Sequence, residues 1–135
     1  MKLKNHIFLL LTLYFLPASC LLTEKRYPIW LTNNSNSEIY VQVSDKYPDS
    51  SVLETDKFLL KVKPSQNQLL DEFDEPIDEV FTDRFAKDTM LLFIFEPDTI
   101  KSYSWNEIMA GNKFIKLNFY SKMDLKALDW TIEYP

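Results

Sequence analysis

One cysteine, one glycine and one histidine occur in the 135 residues of this chain, and each scarcity removes a class of chemistry. A lone cysteine allows no disulfide within the chain and no thiolate metal cluster. The single glycine, Gly111, cannot form a glycine-rich loop that brings backbone amides close to a phosphate. The single histidine, His6, sits in an apolar N-terminal leader. Once that leader is removed, no imidazole remains to activate a serine or cysteine nucleophile or to ligate zinc. Neither a cofactor nor a metal is expected from this inventory. Turns must rely on Asn, Asp, Ser and Pro.

Long apolar runs are also missing. The stretch Ile7 to Leu16 is about half of the roughly 20 residues that cross a bilayer as a helix. What stands around it is informative. Lys2 and Lys4 precede it, and Pro17, Ala18 and Ser19 lead into Cys20, the three-part pattern of an export peptide. Residues 1–19 are therefore expected to be a lipoprotein signal peptide, with Cys20 as the lipid attachment point. Pro17 departs from the aliphatic residue usual at that place. Ordinary secretion without a lipid is the alternative. Residues 20–27 would be the lipidated cysteine and a short tether, and residues 28–135 a single globular domain, since the length suits one core and not two.

The whole chain carries 15 basic and 20 acidic residues, a net charge of −5. Loss of Lys2 and Lys4 with the leader would take it to −7. No basic cluster appears, so nucleic acid is not an expected partner. The leading fold expectation is mainly β within the α+β class: an antiparallel sheet or small sandwich of about six short strands with two or three short helices.

Its parts follow from periodicity. Ile29 and Leu31 open a first strand, and Asn33 to Ser37 form a turn. Ile39, Val41 and Val43 alternate with polar residues, which predicts one buried and one wetted face. Phe58, Leu60 and Val62 alternate with Lys57, Lys61 and Lys63, as suits an edge strand. Ile77, Val80, Phe81 and Phe85 have helical spacing. Met90 to Phe95 is continuously apolar and predicts a central strand covered on both faces. Ser104 with Glu107, and Ser121 with Asp124, are capping signals. Gly111 and Asn112 end one helix, and Ile115, Leu117 and Phe119 alternate as a strand. Trp130, Ile132 and Tyr134 line a last one.

The six acids Asp71, Glu72, Asp74, Glu75, Asp78 and Glu79 lack the spacing and central glycine of a calcium loop. They are expected to lie at a helix start or in solvent. A carboxylate pair of the glycosidase kind is set by distance in space and stays open at this stage. Asp98-Thr99-Ile100 and Asp88-Thr89-Met90 resemble the sequence at which Bacteroides attaches O-glycans. Thr99, placed in a loop, is the candidate O-glycosylation site, whereas Thr89 abuts the central strand. Aromatic residues make up 15% of the chain. Most should be core, but Trp30, Tyr40, Tyr47 and Tyr103 fall on polar strand faces or in loops and are the candidate partner-binding residues.

Tyr47-Pro48-Asp49, Phe93-Ile94-Phe95 with Asp98-Thr99, Tyr103-Ser104-Trp105 and the closing segment from Leu128 to Pro135 resemble small uncharacterised lipoproteins of Bacteroides and related bacteria. The resemblance covers most of the chain after Cys20 and implies a location, without any activity or catalytic residue to carry over. Leu21 after the cysteine is compatible with outer-membrane sorting, on the periplasmic face or the cell surface. The functional expectation is a noncatalytic cell-envelope lipoprotein, held at the membrane through its lipid, that binds a protein or glycan or serves as a structural subunit. Two variants of it make distinct demands. An accessory to glycan capture needs clustered exposed aromatics, and an acidic immunity-type inhibitor of a basic toxin needs one exposed negative face over Asp71 to Asp83.

Overall fold

A computed structural model describes residues 26–135. The proposed signal peptide, Cys20 and most of the tether lie outside the described residues. Among the described residues seven strands form two sheets: β1 (Tyr27–Asn33), β2 (Ile39–Ser44), β3 (Leu60–Val62), β4 (Asn67–Phe73), β5 (Thr89–Phe95), β6 (Lys116–Ser121) and β7 (Thr131–Tyr134). Four α-helices join them: α1 (Ile77–Arg84), α2 (Pro97–Ser102), α3 (Trp105–Gly111) and α4 (Lys122–Ala127). The fold is α+β, as the sequence pattern predicts. β1 takes in Tyr27, so regular structure begins within the stretch assigned to the tether.

One sheet has the order β4-β1-β7 and the other β3-β2-β5-β6. All pairings are antiparallel except β1 with β7. The main core lies between the sheets. Ile29 and Leu31 of β1 and Ile132 of β7 face Ile39 and Val41 of β2 and Met90, Leu92 and Ile94 of β5, closed off by Ile77, Phe81, Phe85 and Leu125. The alternate residues of β5, namely Leu91, Phe93 and Phe95, enter a second cluster with Val52 and Ile108, against which Trp105, Met109, Phe114 and Leu117 pack. β5 is thus buried on both faces, the condition its unbroken apolar run requires.

Local chemistry sets the ends of the elements. Ser104 and Ser121 each make a full capping box, with Glu107 and Asp124 respectively. Asn33 is fully buried, and its side chain holds the 34–38 turn by donating to the Ser37 carbonyl at 2.9 Å and accepting from the Ser35 N–H at 3.0 Å. With glycine so scarce, left-handed positions fall to Ser65, Lys87, Asp88, Asn112, Asp129 and Trp130.

Several expectations are corrected. Gln42 and Ser44, placed on a wetted face, are buried, and Gln42 is bonded to the 45–59 segment through Leu53 and Thr55. Phe58 does not belong to the strand; it ends a 3-10 turn, Asp56–Phe58. The periodicity predicts no strand at β4, yet Asp71 and Glu72 belong to it rather than to a helix start. Thr99 lies in α2, half-buried, and not in a loop.

Candidate functional site

The sandwich is open on the side where β3 and β4 form the neighbouring edges of the two sheets. A groove of about 540 Å³ runs there, within the 300–1,000 Å³ typical of ligand pockets. Its apolar surface comes from Val43, Leu53, Leu60 and Leu70, and Phe58 stands beside them with 63% of its surface exposed. Such a large aromatic left in water next to an apolar depression marks a contact surface more than an isolated exposed ring would.

The wall bearing Phe58 is irregular backbone pinned by side chains. Gln42, rooted in the central sheet, donates from Nε2 to the Thr55 carbonyl at 2.9 Å and accepts at Oε1 from the Leu53 N–H at 3.1 Å. Trp105 of α3 donates its indole N–H to the Leu53 carbonyl at 2.9 Å. Thr55 then caps the 3-10 turn by accepting from the Lys57 N–H. The Gln42 and Trp105 bonds satisfy part-buried polar groups, and the Thr55 cap lies at the surface.

Arg84, in the last turn of α1, ties the opposite wall. Its Nε donates to Asp71 on β4 at 3.0 Å and its Nη1 to Asp45, just after β2, at 2.9 Å, so one guanidinium bridges the two sheets. It also lies 5.4 Å from the Phe85 ring. Lys46, Lys57 and Glu54 complete the lining and have no ion pair among the described residues. The groove can hold an apolar group while offering charges of both signs to its polar ends.

A smaller hollow of about 370 Å³ at the other end of the sandwich includes Glu38, Glu96, Asp98, Ile115 and Tyr134. The hydrogen bond and charge of Lys61, 2.9 Å away, hold the Glu38 carboxyl below its usual range. Among the described residues no group of three or more His, Cys, Asp or Glu is arranged to hold a metal ion. The other displaced carboxyls, Asp49, Glu107 and Asp124, are also lowered, by serine hydrogen bonds in turns and caps.

No family model, curated protein or solved structure matches the chain.

The sequence-selected aromatics do not converge. Trp30 is 37% exposed on β1, in the three-stranded sheet. Tyr40 and Tyr47 pack against the second cluster, Tyr47 edge-on to Phe119 at 6.0 Å. Tyr103, 42% exposed, carries the Lys113 ammonium 4.1 Å from its ring centre. None of the four lines the groove. Phe58 does, and the signal for it was Thr55-Asp56, an N-cap followed by a first-turn acid, which argues for a helical turn before β3.

Three acids of the acidic segment are paired with cations of this chain. Asp71 is bound by Arg84, Asp74 by Arg26 and Asp78 by Lys126, while Glu72, Glu75, Glu79 and Asp83 are exposed on β4, the following turn and α1. Among the described residues no helix is long and apolar enough to cross a membrane.

Proposed function

We propose that the chain is a noncatalytic lipoprotein of the cell envelope, tethered at the outer membrane through Cys20, whose domain binds an apolar segment of a protein partner in the β3–β4 groove. The address rests on the sequence from Lys2 to Cys20. Binding rests on one observation, the exposed Phe58 beside the apolar floor of Val43, Leu60 and Leu70.

The protein-ligand reading draws more support than glycan capture, because sugar platforms use neighbouring aromatic faces and Phe58 is the one aromatic in the lining of the groove. Inhibition of a basic toxin draws less, since three of the acids it needs are already engaged by cations of this chain.

Two experiments test the parts separately. Cys20→Ser should release the protein from the outer-membrane fraction, and retention there would refute the anchor. Affinity capture from native membranes should recover a partner with the unaltered domain and lose it with Phe58→Ala. Equal recovery by both would refute the groove as the binding site.

A further inference from the structure

Each sheet has two edges, and an unpaired edge strand is a template for another chain unless something blunts it. Three of the four edges here are blunted. β3 has only three residues, with Lys61 within it and Lys63 directly after it. β7 has four residues and carries the exposed Glu133. β4 is longer, but it is interrupted by a bulge opposite Ile29 and Trp30, and its own side chains take backbone groups: Gln68 donates to the Leu69 carbonyl, and Asp71 accepts from the Glu72 N–H.

β6 has none of these devices from Leu117 to Tyr120, and its one charged residue, Lys116, stands at its first position. It runs for six residues along the outside of the four-stranded sheet. Among the described residues no side chain bonds to its backbone before Ser121, whose N–H goes to the Asp124 carboxylate. Alternate residues of such a strand direct their N–H and C=O groups away from β5. Next to these groups Phe119 is 51% exposed and Ile115, just before the strand, 44%.

We propose that β6 pairs with β6 of a second copy of this chain, antiparallel about a two-fold axis through Asn118, joining two four-stranded sheets into one of eight. The strand is self-complementary in this register. Leu117 meets Phe119 of the other copy, Asn118 meets Asn118, and Lys116 meets Tyr120. The only charge in β6 is Lys116, so no like charges are opposed. Leu117 and Phe119 are the partners of Phe93 and Leu91 on β5, on the face of the second cluster. An even-numbered register keeps that face continuous across the axis. Nothing in this proposal depends on the lipid or on the groove.

The test is the mass of the full protein purified from its own cells, whichever fraction holds it, read by light scattering over a dilution series. The native chain is expected to be a dimer. Phe119→Lys, a half-exposed substitution that puts two lysines beside the axis, should raise the dissociation constant by about tenfold or more while the dissociated protein keeps the native circular dichroism spectrum. Glu133→Lys, on the blunted β7 edge, should leave the dimer unchanged. A native monomer at every concentration overturns the proposal, and so does a Phe119→Lys protein that dimerises as tightly as the native one. Complexes containing only a different protein on this edge would overturn it as well.

Discussion

The two faces of β5 are buried by different means. Toward the three-stranded sheet, Met90, Leu92 and Ile94 meet regular strands and the helices α1 and α4, and that contact is apolar throughout. On the other side, Leu91, Phe93 and Phe95 meet α3 and the irregular 45–59 segment, whose backbone must be satisfied one group at a time by Gln42, Thr55 and Trp105. Regular elements satisfy their own backbone and ask only for matching surfaces. An irregular cover needs polar pegs, and its free margin is where the groove and Phe58 are found.

The contrast can be broken first at its stronger side. Phe81 is fully buried between the sheets and lies 4.7 Å from Phe85, ring to ring. Phe81→Ala should destabilise the whole domain by about 3–5 kcal/mol, seen as a large fall in the denaturant midpoint. A loss under about 1 kcal/mol would mean that this core repacks freely.

On the other face the effect should be smaller and local. Gln42→Ala leaves the Leu53 N–H without its acceptor and should cost roughly 1–3 kcal/mol. Hydrogen exchange should accelerate at amides 53–59 while those of β5 remain protected. If both sets accelerate equally, the cover and the core form one cooperative unit and the distinction fails.

The smallest effect sharpens the comparison by pH. Glu107 accepts from the hydroxyl and N–H of Ser104 at the start of α3, and these bonds hold its carboxyl below the usual carboxylate range. A carboxyl lowered by folding contributes stability that is present above its unfolded value and disappears as pH falls through the folded one. Acidification below about pH 4.5 should therefore loosen α3, and Glu107→Gln should flatten that part of the profile. Asp124, lowered in the same way at α4, serves as the internal reference, because its dependence should survive in the Glu107→Gln protein.

Legibility in the sequence followed the same division. β2, β5, the stripe of α1 and both capping boxes could be found because their signals recur within a few residues. β4 escaped because Leu70, the extra residue at the bulge, breaks its alternation. Phe58 was drawn into β3 because it stands two positions before Leu60, and a period of two cannot tell a strand from a 3-10 turn leading into one. The burial of Gln42 depends on residues 11 and 13 positions away. The groove gathers side chains from positions 43 to 84, and no local pattern announces such an assembly.

The parallel pairing of β1 with β7 joins residues about a hundred positions apart. Leu31 gains its neighbour Ile132 only after residue 132 has been synthesised. Closure of the smaller sheet on that side is therefore a late, long-range step that must await β7, however early the β1–β4 pairing forms.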